Sequence, residues 1–305
     1  MKLAVEFPSV AYREGGAQVL NLARAIERIG FDQLDMFDHV VMGYPTANRR
    51  APMYPPQMPI LEALMTLSFV AAATDKIGLG TEVLVLPQRQ PTLVAKQVST
   101  LDTLSGGRVR LGVGVGWQFA EYEALGEPFS DRGRRMDEAI KLLKHYWRDA
   151  KVDFDGEFYR ADAIAMEPKP PQGDRLPIWI GGSTPAALRR VAELGDGWLA
   201  PALTKIEDVR AALEIIDRAA AAADRDPSTI DYQMMLDVPP RDAGGKAFYQ
   251  DLDRVAERAE FVHGAGFSWG AINATAIFQS GARSVDAIIE TLGRIHDRIR
   301  KAVGS

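Results

Sequence analysis

The stretch from Lys76 to Trp117 constrains this chain more than any other, because it reads as one complete βαβ unit. Residues 77–86 are rich in β-branched and aliphatic side chains and stop at Pro87, the pattern of a strand buried on both faces. Val94, Val98, Leu101 and Leu104 then recur at helical spacing and predict one apolar stripe turned toward a sheet. Ser105-Gly106-Gly107 ends that helix, since glycine reaches the left-handed conformation that helix ends use. Residues 109–115 return as a second buried strand, which a helical crossover makes parallel to the first.

The same alternation runs along the whole chain. Strands are expected at 3–7, 31–37, 77–86, 109–115, 178–180, 197–201, 231–238 and 269–274, with helices between them. No separating linker interrupts them. The pattern predicts an α/β fold, a (β/α)8 TIM barrel with insertions, formed as a single domain over 1–305; an open doubly wound sheet is the alternative. A length of 305 residues suits a barrel, which commonly runs to ~250 residues or more. Two insertions stand out. Residues 40–59 are rich in Pro and Met without periodicity, in a length typical of a lid or binding loop. Residues 151–176 hold a hairpin-like VDFDGEFYR and a proline-rich run.

Charge and composition narrow the function. A net charge of −5 argues against nucleic acid as the main partner, because phosphate neutralisation needs a basic face. No run approaches ~18 apolar residues, so no membrane span is implied. Met1 leads almost directly into the first strand, leaving no room for a signal peptide. The absence of cysteine excludes disulfides, thiolate metal sites and a cysteine nucleophile, and fits a cytoplasmic location. The four histidines lack HExxH-type spacing, so no metal is expected.

In a barrel the active site lies at the carboxyl ends of the strands, and four sequence features fall there. Asp38-His39 closes the second strand and sets a histidine beside a carboxylate. Glu82, next to Thr81, lies in an otherwise apolar strand; a buried carboxylate there is a functional group or half of a structural ion pair. Glu6 raises the same question. Gly112, Gly114 and Gly116 alternate with valines and so share one face of their strand. They suit a flat cofactor ring pressed on bare backbone, or a tight contact with a neighbouring strand or a bulge. Gly181-Gly182-Ser183-Thr184-Pro185 precedes a helix, as a phosphate-binding turn does and as a well-capped helix without ligand does. No GxGxxG, Walker or GxSxG motif is present.

Taken together, FDQLDMFDHV (31–40), IGLGTEVLVLPQRQPTLVAKQVSTLDTLSGGRVRLGVGVGW (77–117), EPFSDRGRRMDE (127–138) and PIWIGGSTPAALRRVAELGDGW (177–198) resemble the luciferase-like monooxygenase superfamily. The combination of DHV, LSGGR, GVGVGW and WIGGST is most similar to the branch that uses the deazaflavin coenzyme F420. The resemblance implies an oxidoreductase that transfers hydride between F420 and a small organic substrate; the alternative is a reduced-FMN monooxygenase using oxygen, served by a separate reductase. A non-enzymatic flavin carrier is a further alternative. It places Asp38 and His39 beside the cofactor ring, His39 as a catalytic acid/base or ring-positioning group. It assigns Thr81, Glu82 and Val83 to a bulge behind the ring, with a non-prolyl cis peptide expected at Thr81-Glu82. Gly114 and Gly116 would border the ring, and Gly181, Gly182, Ser183 and Thr184 would hold the phosphate. Relatives commonly form homodimers through early barrel helices. The sugar-phosphate dehydrogenases of the superfamily carry a Trp four residues after the His and a Glu just past the strand-four glycine. This chain has Gly43 and Val115 there, which argues against a sugar phosphate.

Overall fold

In the computed structural model, which describes residues 1–237 and 247–304, the expected strands close into a parallel barrel. In chain order they are β1 (Lys2–Glu6), β2 (Gln33–Met36), β3 (Gly78–Thr81) with a two-residue continuation β4 (Leu84–Val85), and β5 (Val109–Gly114). An antiparallel hairpin, β6 (Val152–Asp155) and β7 (Arg160–Ile164), stands outside the barrel. β8 (Ile178–Gly181), β9 (Gly197–Ala200), β10 (Asp231–Met235) and β11 (Trp269–Asn273) complete the ring. β1 pairs with β11, and β3 pairs with β5 through Leu79 opposite Val109, so the sheet is closed and the open doubly wound alternative is excluded. The expected end of the seventh strand at residue 238 and the following loop 239–246 lie outside the described residues.

Around the barrel pack α1 (Gly16–Ile29), α2 (Ala63–Ala71), α3 (Pro91–Ser105), α4 (Phe119–Ala124), α5 (Arg132–Arg148), α6 (Pro185–Leu194), α7 (Ile206–Ala222), α8 (Leu252–Gly264), α9 (Ala274–Gln279) and α10 (Val285–Val303). Among the described residues no helix is long and apolar enough to cross a membrane. α3 follows its sequence pattern with one correction. Val94, Val98 and Leu101 are buried, but Leu104 is 70% exposed. At 3.6 residues per turn Leu104 lies about 80° off that stripe, and Ser105 faces inward instead. Gly106 and Gly107 end the helix at φ of 71° and 84°. α2 is apolar on both sides, and it leaves Met65 and Phe69 exposed; Leu93 of α3 is exposed as well.

The main hydrophobic core lies between strands and helices. Inside the ring a smaller cluster of Ala4, Trp179, Leu199, Trp269 and Ala271 fills the barrel, with Val83 and Met235 packed against it. A polar network shares this interior. Arg110 lies 4.3 Å from the Trp179 ring and 4.9 Å from the Trp269 ring, and its Nη2 donates to Asp35 and to Gln233 Oε1 at 3.0 Å. Buried charges persist when paired and hydrogen-bonded in this way. The network forms a floor under the carboxyl ends of the strands.

Candidate active site

His39 follows β2 and is 9% exposed. Its ring packs edge-on against Trp117 and Tyr54, with centroids 5.3 and 5.8 Å away, so the end of β5 and the 40–59 segment meet over it. The carboxylate that serves it is not Asp38. Successive residues of an extended chain point to opposite faces, and Asp38 turns away to accept from Arg89 Nη2 at 2.8 Å and from the Val85 N–H at 3.1 Å. Burial pushes the Asp38 carboxyl up, against the pull of Arg89. The partner of His39 is Glu121 of α4, whose Oε2 lies 3.1 Å from Nδ1. Burial would raise the Glu121 carboxyl, but hydrogen bonds from His39, Gln88 and the Val40 N–H outweigh it and hold it below its ordinary value.

Three carboxyl groups form a second cluster, at the ends of β1, β3 and β10. Glu82 accepts from Gln233 Nε2 at 2.9 Å, and Asp237 from the Tyr249 hydroxyl at 3.0 Å. Glu6, Glu82 and Asp237 are all half-buried, so each keeps some surface accessible. Burial, then the neighbouring Asp35, push Glu82 up to about 8, although Arg110 pulls the other way. Glu6 is raised well above the usual carboxylate range by burial and then by Glu82 and Asp237, and burial lifts Asp237 to about 6. Near neutral pH this cluster holds protons it can donate. Sequence reasoning gave Glu6 little weight. The structure sets it beside Glu82.

The glycine face meets the chain's own 81–85 segment. A Cβ on Gly112 would lie 1.8 Å from the Thr81 carbonyl, one on Gly114 2.5 Å from Val83 Cγ2, and one on Gly116 2.6 Å from Val85 Cγ1. The close approach that the sequence assigned to a cofactor ring, to a neighbouring strand or to a bulge is therefore made by the kink between β3 and β4. At that kink the cis peptide lies between Glu82 and Val83, one bond later than expected. A Cβ on Gly181 would also meet Val83, at 2.7 Å, so β5 and β8 hold this half-buried side chain between them. The surface that a flat ring would meet is thus Val83, with Gly114 and Gly181 giving it room.

Gly181 leads into the turn before α6. Gly182 takes φ of 119°, and its carbonyl accepts from Trp198 Nε1 at 2.7 Å. Thr184 caps the helix by accepting from the Ala187 N–H at 3.2 Å. Gly182, Ser183 and Thr184 are exposed, and among the described residues no backbone carbonyl takes the N–H of Ser183 or Thr184. Those free donors and the positive end of the helix dipole suit an anion, and Arg189 and Arg218 line a groove beside Pro185.

The structure thus brings His39, Glu82, Val83 and the Gly181–Thr184 turn to one rim of the barrel. It separates Asp38 from His39 and buries Thr81, whose hydroxyl donates to the Gly112 carbonyl at 2.6 Å. Sequence reasoning missed Glu121, Gln88, Tyr54 and Asp237. Polar residues at alternate positions of apolar strands, Asp35, Arg110 and Gln233, were a signal for the interior network. Nothing local marks Glu121, which sits in a short polar helix.

The profile of the luciferase-like monooxygenase family matches residues 3–243. An FMNH(2)-dependent dimethylsulfone monooxygenase of Pseudomonas putida is 34% identical over 205 residues, 66% of this chain and 53% of that one. An F420-dependent glucose-6-phosphate dehydrogenase of Kineococcus radiotolerans is 31% identical over 214 residues, 66% of this chain and 62% of that one. The matches span less than two thirds of the length of these curated relatives. Among solved structures, the monooxygenase RslO1 from Streptomyces bottropensis superposes with a TM-score of 0.79 at 20% identity, over 99% of each chain, and shares the fold.

Proposed function

The chain belongs to the luciferase-like monooxygenase family, and from that premise we propose that it is an oxidoreductase that uses coenzyme F420 to transfer hydride to or from a small organic substrate. The observation that carries this reading is the meeting at Val83 of the exposed turn before α6, with its free N–H donors, and the β5 glycine face, on the rim that also holds His39. The cofactor, when bound, supplies the hydride chemistry, and the protein positions and shields it. The N–H groups of Ser183 and Thr184 would hold its phosphate, and Val83 would back its ring. His39 would move a proton at Nε2 or position the ring. The 40–59 loop, through Tyr54, would exclude water. Gly43 and Val115 stand where the sugar-phosphate dehydrogenases of the family carry Trp and Glu, which argues against a sugar phosphate as the substrate. We place the protein in the cytoplasm, as a homodimer joined through the exposed apolar surface of α2 and α3.

An FMN-dependent monooxygenase fed by a separate reductase is the second reading, favoured by the resemblance to the Pseudomonas putida enzyme. Titration of the purified protein with F420 and with FMN, followed by fluorescence, separates the two. F420 should bind in preference, and turnover should consume no oxygen. Binding of FMN alone with stoichiometric oxygen uptake would overturn the F420 reading.

A further inference from the structure

We propose that Glu121 is the positioning residue of this site: one carboxylate fixes which ring nitrogen of His39 carries the proton and anchors the entry of the 40–59 loop. The proposal rests on the reading of His39 as the group that meets the ligand. Glu121 is fully buried and is met by four donors. Its Oε2 takes His39 Nδ1 and Gln88 Nε2, both at 3.1 Å. Its Oε1 takes the backbone N–H of Val40 at 2.5 Å and of Val41 at 3.3 Å. An ionised carboxylate only accepts, so Nδ1 must donate to it. A neutral imidazole has one N–H, and with that proton at Nδ1 the Nε2 lone pair is left free. Among the described residues Nε2 takes no partner, which leaves it to a ligand.

The loop has a second anchor that His39 lacks. Gln118 accepts from the Gly43 N–H at 2.7 Å and donates to the Val41 carbonyl at 2.9 Å. Loop attachment and imidazole tautomer can therefore be separated by substitution. In Glu121→Gln the amide oxygen keeps the Val40 and Val41 N–H groups, and an NH2 takes the place of Oε2. That NH2 donates to Nδ1 and forces the imidazole proton to Nε2. Gln88 accommodates the change by turning its amide round, since its Oε1 is buried without a partner. The variant keeps its hydrogen bonds and inverts the tautomer of the ring.

The test is a long-range proton–nitrogen correlation spectrum of protein labelled with 15N-histidine, at alkaline pH and without cofactor or substrate. The His39 signals are assigned by their loss in His39→Asn. Wild-type His39 should carry its proton at Nδ1, Glu121→Gln should carry it at Nε2, and Gln118→Ala, which frees only the loop, should keep it at Nδ1. An Nε2–H tautomer in the wild type, or an unchanged tautomer in Glu121→Gln, would overturn the proposal. The wild-type spectrum decides on its own should the variant fail to fold. Because neither ligand is present, the outcome does not depend on whether F420 is the cofactor.

Discussion

Replacing Glu82 by glutamine should make the protein less sensitive to alkaline pH. Glu82 sits among Asp35, Arg110 and Gln233, and burial lifts it from 4.5 to about 8. An acid raised on folding holds its proton where the unfolded chain has released it. Its stabilising contribution is complete below pH 4.5 and is lost as pH rises toward 8, at about 1.4 kcal/mol per pH unit. Across that interval the upper bound is about 5 kcal/mol. Glu82 is half-buried and shares its field with Asp35 and Arg110, so solvent screening brings the expected loss to roughly 2 kcal/mol. For a chain of this size that corresponds to roughly 4 °C in Tm. Glutamine mimics the protonated acid and can still accept from Gln233 Nε2. Thermal unfolding followed by circular dichroism from pH 5 to 9 should give a constant offset between the two proteins near pH 5. The wild type should then fall relative to Glu82→Gln as pH rises. A pH-independent offset, or a wild type that gains on the variant above pH 8, would show that Glu82 ionises readily against Arg110 and would refute the reasoning.

Three further outcomes follow from the packing. Gly114→Ala should cost about 3 kcal/mol in denaturant unfolding, because its Cβ would lie 2.5 Å from Val83; Val83→Ala in the same chain should restore about half, and no rescue would mean that another contact excludes the side chain. Thr184→Ala removes the cap of α6 and should lower stability by about 1 kcal/mol in the same assay, with a weakened affinity for F420 in the fluorescence titration. Met65→Asp with Phe69→Asp, on the exposed face of α2, should convert a dimer into a monomer in light scattering; an unchanged mass would place the subunit contact elsewhere.

The barrel was legible because its information is local. Apolar strands of period two alternate with amphipathic helices of period 3.6, and Gly106-Gly107 punctuates the unit that gives the pattern away. Leu104 misled because four apolar residues spaced by three and four do not keep one heading once the steps are added. The rim was legible too, since the fold sends every strand's carboxyl end to the same face.

The sequence by itself determined the eight strands, the rim they share and the residue types on it, because periodicity and glycine punctuation act over a few residues. Only the tertiary structure decided who touches whom. It gave His39 to Glu121, 82 residues away, and sent its neighbour Asp38 to Arg89. It filled the glycine face with the 81–85 kink, and it gathered Glu6, Glu82 and Asp237 from three strands into one cluster of raised acids. Such pairings depend on closing the ring, which brings distant strand ends within a few ångströms, and no local pattern encodes that distance.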